Sequence, residues 1–296
     1  MRIGMRLAAV LVGAIFASTA TATADPGPAT TPAAAALPAG TTIEPPIDCG
    51  PTAAHPNPVI VLPGGDGNTS DTDAQWATML GALRGAGNCT LLFQGGIVNG
   101  KRWAGDIPAE GHQLADFIAK VRQATGAEQV DIVAHSAGTI VTNDYLKVLG
   151  GAPAVNHAVL ITPEARGCDG AGLLAPFGIE NPPITPVQLL TALPFLSSVL
   201  GSLSPDMAVA TEMAPNSDVY KAIFDGNVTQ PGVRYSVIAT RNDQLATPAV
   251  TCSLIDEPGV TNAVYEDLFP GADPVDHSLI RSSPQTGGWV LDQLRS

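Results

Sequence analysis

Gln129-Val130-Asp131-Ile132-Val133-Ala134-His135-Ser136-Ala137-Gly138 is the stretch that decides the fold. Residues 129–134 read as a short apolar strand and residues 137–149 as the helix that follows it. Ser136 stands on the turn between them. Of fourteen serines it alone has Gly or Ala two positions before and Gly two positions after. A tight strand-to-helix turn strains the serine backbone, and larger side chains two positions either side would collide. The turn also raises the hydroxyl above the C-terminal edge of a sheet. It sets the N–H of Ala137 at a helix N-terminus, where partial positive charge would meet a developing oxyanion. Ala134 stands where Gly is usual, a departure that small residues on the neighbouring strand would accommodate.

Working outward, Pro58–Leu62 is a predicted buried strand ending at Pro63-Gly64-Gly65. Residues 72–86 predict a helix with Trp76, Met79, Leu80 and Leu83 at helical spacing, and residues 109–124 another with Leu114, Phe117, Ile118 and Val121. Residues 90–93, 158–162 and 235–239 predict strands, and 285–294 a closing helix. The alternation predicts an α/β chain, a mostly parallel sheet covered by helices on both faces. An apolar insert around 165–230 breaks the rhythm. Its part 167–205 holds Asp169 and Glu180 but no Lys or Arg, and is rich in Leu, Pro, Phe and Gly. It reads equally as a helical excursion packed on the sheet or as a cap over an apolar pocket.

A serine hydroxyl needs a base at pH 7. His55 and His157 fall at the wrong ends of strands, His112 starts a surface helix, and the turn should aim His135 away from Ser136. His277, in the loop before the last helix, remains. Asp243 follows the strand 235–239 and is the candidate to hold the imidazole tautomer. Asp276 is its chief rival, but adjacency to His277 gives it a poor approach; Asp256, Glu257 and Asp267 lie farther from a predicted strand end. The glycine loop after residue 62 supplies the second oxyanion donor, the N–H of Gly65. Its Gly-Gly-Asp-Gly lacks the Gly-Lys-Ser/Thr of a phosphate loop.

The net charge of −13 over 296 residues argues against nucleic acid and against an electrostatic grip on anionic lipid. Arg2, Arg6, the apolar run 7–17 and an A-x-A site predict a signal peptide over 1–24, which implies secretion. A Pro/Ala/Thr-rich arm is expected over 25–47 and the main domain over 48–296. Export would oxidise the four cysteines. Of three pairings, strand positions favour Cys49–Cys89 and Cys168–Cys252: the first pair brackets neighbouring strands, and the second follows two strands onto one rim. With no C-x-x-C and no His cluster at ligand spacing, no metal site is expected.

These segments together resemble the secreted α/β-hydrolase lipases and esterases, in particular actinobacterial secreted lipases and the fungal lipase B type. The chain order Ser136…Asp243…His277 is that of the α/β-hydrolases. The resemblance spans 47–294, and Ile47-Asp48-Cys49-Gly50 with Cys89 is similar to the N-terminal disulfide of the lipase B type. It implies Ser136 as nucleophile, His277 as base, Asp243 as orienter, and Gly65 and Ala137 as oxyanion donors. Gly65 offers only backbone where lipase B-type enzymes have a polar side chain, a difference worth ~3 kcal/mol of transition-state stabilisation. The implied activity is carboxylic-ester hydrolysis through an acyl-enzyme, without a cofactor. The expected partners are small-molecule or lipid esters, with transient contact at a lipid interface, and the chain is expected to be a monomer. The alternatives are acyl transfer in the cell envelope, a polyester- or cutin-type esterase, and a non-catalytic binding protein on the same scaffold.

Overall fold

Runs of consecutive apolar residues can bury both faces of a strand, which is what a sheet covered on both sides requires. In the computed structural model, which describes residues 37–296 except 180, 194 and 197–210, these runs form the sheet. The elements in order are β1 (Thr41–Ile43), β2 (Val59–Leu62), α1 (Thr72–Gly85), β3 (Thr90–Leu92), β4 (Gln94–Ile97), α2 (Ile107–Thr125), β5 (Val130–His135) and α3 (Ala137–Asn143). They continue as β6 (Val155–Ile161), α4 (Pro186–Ala192), α5 (Asp218–Phe224), β7 (Arg234–Ala239), β8 (Val260–Val264), α6 (Tyr265–Leu268) and α7 (Pro284–Arg295). The signal segment, the first part of the arm, Glu180 and part of the apolar insert lie outside the described residues.

Six strands form one sheet in the order β3-β2-β5-β6-β7-β8, and every neighbouring pair is parallel. Alternate residues of each strand feed two cores. Ile60, Ile132, Leu160 and Val237 pack with Leu114, Phe117, Val121 of α2 and Val141 of α3. Val59, Val61, Val133, Val159 and Ile238 pack with Trp76, Met79, Leu83 of α1 and Trp289, Val290 of α7. Parallel strands all end at one edge, so the loops after β2, β5, β6 and β7 share a rim.

The helix expected over 137–149 is regular only to Asn143 and closes in a wider π turn over Asp144–Val148. Strand β8 has no signal in the sequence, because it is an edge strand whose residues are only half-buried or exposed. The end of the arm joins the body. Thr41–Ile43 pairs with Gln94–Ile97, and the carbonyls of Pro38 and Ala39 accept from Asp106 N–H and Gln113 Nε2. Small residues do not flank Ala134: it pairs with Leu62 and Leu160 in register. Its methyl fits because Ala134 is itself the small member between two leucines, fully buried. Cys49 is bonded to Cys89, and Cys168 to Cys252.

Candidate active site

Strand β5 delivers Ser136 at the rim with φ 50° and ψ −127°, in the left-handed half of the map that a non-glycine residue rarely occupies. The surrounding small residues are a steric requirement. A Cβ on Gly138 would lie 2.7 Å from the Pro63 carbonyl oxygen and 3.0 Å from the Leu62 Cβ.

The loops after β7 and before α7 meet through a parallel bridge between Asn242 and Asp276, which sets the next residues, Asp243 and His277, side by side. His277 Nδ1 donates to Asp243, at 2.8 Å from Oδ2 and 3.0 Å from Oδ1. That tautomer leaves Nε2 as an acceptor for the Ser136 hydroxyl at 2.8 Å. All three residues are buried, and Asp243 Oδ1 also accepts from the N–H groups of Leu245 and Ala246 at 2.9 and 2.8 Å. The rival Asp276 is committed to its own loop, accepting from Ser278 and Leu279 N–H at 3.0 and 2.7 Å. Glu257 binds Val228 and Thr229 N–H, and Asp267 binds Arg241.

Gly65 is exposed, and a Cβ on it would lie 3.6 Å from the Ala137 Cβ, so the two residues expected to supply the donors are neighbours at the rim. The Ala137 N–H opens α3 and has no partner within that helix. The loop is fixed by Arg102, which donates from Nε to the Gly64 carbonyl at 2.8 Å and from Nη1 to the Asn68 carbonyl at 2.9 Å.

Burial alone would lower the pKa of His277. The hydrogen bond and charge of Asp243, then Glu164 and Asp66, outweigh it and hold the imidazole above 6.5. Glu164 was missed by sequence reasoning. It lies just beyond the end of β6, and burial raises its carboxyl above the usual value, opposed by His277 and reinforced by Asp243. The signal that could have found it is position: it follows a parallel strand onto the rim that holds Ser136. The turn carries His135 to the far side of the His277 loop from the expected base position. Its ring lies 4.9 Å from that of His277, and its Nε2 donates to the His277 carbonyl at 2.8 Å. Complete burial pushes His135 down to about 3, so it is neutral at pH 7.

His157 bonds the Ser236 hydroxyl inside the sheet at 2.9 Å, remote from the rim. A cavity of about 320 Å³ lined by His55, Asn57, Asp131 and Arg234 lies at the opposite sheet edge, away from Ser136. Among the described residues no group of three or more His, Cys, Asp or Glu could hold a metal. No described helix is long and apolar enough to cross a membrane.

Residues 57–163, from the start of β2 past the end of β6, match the family described as lipase (class 2). The chain has the α/β-hydrolase fold. A carboxylesterase structure from the ammonia-oxidizing thaumarchaeon Nitrososphaera gargenis aligns over 85% of this chain and 93% of its own, at 13% identity and a TM-score of 0.50. The propeptide form of a Bacillus licheniformis lipase aligns over 87% of this chain but only 54% of its own, at 15% identity and a TM-score of 0.50. The chain matches no curated protein sequence. Within this fold the matched span carries the serine turn and the glycine loop, while the acid and histidine loops lie beyond it.

Proposed function

We propose that the chain is a serine carboxylic-ester hydrolase, secreted after removal of residues 1–24, acting on acyl or lipid-like esters. The observation that supports it most is the continuous hydrogen-bonded line Ser136–His277–Asp243 at the rim, with a strained backbone at the serine. His277 takes the hydroxyl proton as Ser136 attacks the ester carbonyl, and the oxyanion is met by the N–H groups of Gly65 and Ala137. The imidazolium returns the proton to the departing alcohol. Water, deprotonated by the same base, then hydrolyses the acyl-enzyme. Asp243 stabilises the imidazolium and needs no proton of its own. The mechanism calls for no cofactor.

Acyl or lipid-like substrates are favoured by the insert. Phe177, Ile184 and Phe195 are 79%, 61% and 62% exposed. Exposed apolar side chains grouped in one stretch suit transient contact with an ester-water interface. The test is Ser136→Ala with p-nitrophenyl esters from C2 to C16. Hydrolysis should vanish while the circular dichroism spectrum is unchanged. Wild-type rates should favour the longer acyl chains. Full activity in the variant would remove the nucleophile and with it the reading.

A further inference from the structure

The glycine loop and the histidine loop are far apart in sequence, yet one carboxylate joins them. Asp66 follows Gly65 directly. Its Oδ2 accepts from the Ser278 hydroxyl and from Arg281 Nη1, both at 2.5 Å, and Arg281 Nη1 also donates to the Ser278 carbonyl at 2.6 Å. Ser278 is the neighbour of His277. His135 closes the ring from the nucleophile side by donating to the His277 carbonyl, and its Nδ1 faces Asp66 Oδ1 at 3.7 Å, too far for a hydrogen bond. Arg281 is 5% exposed and the Asp66 side chain 13%. A charge pair so sheltered is screened little by solvent.

We propose that Asp66 is a positioning residue that clamps the Gly65 amide and the His277 imidazole into one rigid unit through Ser278 and Arg281. The inference rests on the ester-hydrolase reading above and deepens it. The two groups that must act together on the tetrahedral intermediate sit on different loops. A loose joint between them would misplace the oxyanion donor relative to the proton donor without harming substrate binding. Such a clamp therefore acts on the transition state, and its loss appears in kcat and not in KM.

Asp66 also acts through its charge. Burial would raise its carboxyl, but the field of His135 at the acid end of the range, Arg281, the Ser278 hydroxyl and His277 bring it below the ordinary carboxylate value; at neutral pH, where His135 is uncharged, Arg281 and the Ser278 hydroxyl still face the anion. The titratable groups facing His277 are Asp243 from the β7 loop, Glu164 from the β6 loop and Asp66 from the glycine loop, with the imidazole of His135, neutral at pH 7, beneath. Arg281 reaches it through Asp66. Removing the anion at Asp66 removes one of the influences that raise His277.

The experiment compares wild type, Asp66→Asn and Ser278→Ala as full chains, with circular dichroism as the check on folding. Asp66→Asn should lower kcat about ten- to hundred-fold, the range below outright loss of an oxyanion donor, with KM within two-fold. The His277 imidazole, followed by proton NMR without substrate, should titrate at lower pH than in wild type. A folded Asp66→Asn with kcat within two-fold of wild type and an unmoved imidazole overturns the proposal. If Asp66→Asn does not fold, Ser278→Ala decides: a several-fold fall in kcat at constant KM supports the clamp, and an unchanged kcat overturns it. Failure of the underlying reading looks different. The wild-type chain would then hydrolyse no ester and Ser136 would resist a fluorophosphonate probe, while the NMR titration would still report the link between Asp66 and His277.

Discussion

In the proposed mechanism His277 sets the pH at which the site can work. The base must be neutral, and its pKa is raised above 6.5 chiefly by Asp243 against the opposing effect of burial. The neutral fraction therefore falls on the acid side earlier than for a free imidazole. The acid limb of kcat/KM should have its midpoint above pH 6.5, measured with a soluble ester in the range pH 4–9. A midpoint at or below 6.5 would contradict the geometry. Asp243→Asn keeps the shape but offers Nδ1 the wrong partner, so kcat should drop by about 10⁴-fold. The sequence pointed to this acid by its place after a strand. Geometry supplies the physical reason for the choice: Asp276, adjacent to His277, spends its carboxylate on two backbone N–H groups of its own loop.

Helix α2 carries a cost of its own inside the body. Glu110 is fully buried, with Oε1 accepting from Gly105 N–H at 2.9 Å. Burial first, then Glu212, Asp106 and Asp144, push its pKa up to about 8, the Gly105 N–H opposing them. A folded-state pKa above the unfolded value of 4.5 means stability that is fully present below pH 4.5 and lost as pH rises through 8. Glu110→Gln keeps the acceptor for Gly105 and removes the buried charge. Its melting temperature relative to wild type should increase from pH 5 to pH 9; a difference that stays flat over that range would count against the assignment. Strand β5 and helix α3 tell a simpler story. Gly138 abuts the Pro63 carbonyl, so Gly138→Ala should displace the glycine loop and destabilise the fold by about 1–3 kcal/mol, read from urea unfolding.

At the scale of the whole molecule, covalent and polar ties hold the rim loops in place. The bond between Cys168 and Cys252 closes a sequence separation of 84 and joins the start of the insert to the segment that follows the Asp243 loop. Asp169 and Thr247 add a second tie, with Thr247 Oγ1 donating to Asp169 Oδ1 at 2.7 Å. Replacing both cysteines by serine should cost ~4–5 kcal/mol in the loop-entropy account, seen as a lower denaturation midpoint. Much of this organisation was legible in the chain. Apolar runs of strand length, helices with one greasy face and small residues around Ser136 are short-range patterns, and each is written in a few adjacent residues. They determined the α/β class, the parallel sheet and the serine turn. Strand β8 left no such mark, since an edge strand needs no continuous apolar run. The sequence named Ser136, Asp243 and His277 as candidates, but the contacts between them, and the presence of Asp66, Glu164 and His135 beside them, came from tertiary structure alone. Ser136 and His277 are 141 positions apart, and Asp66 and Arg281 are 215. Their encounter depends on strand order and on how the loops close over one sheet edge, and no pattern of neighbouring residues encodes a distance between loops.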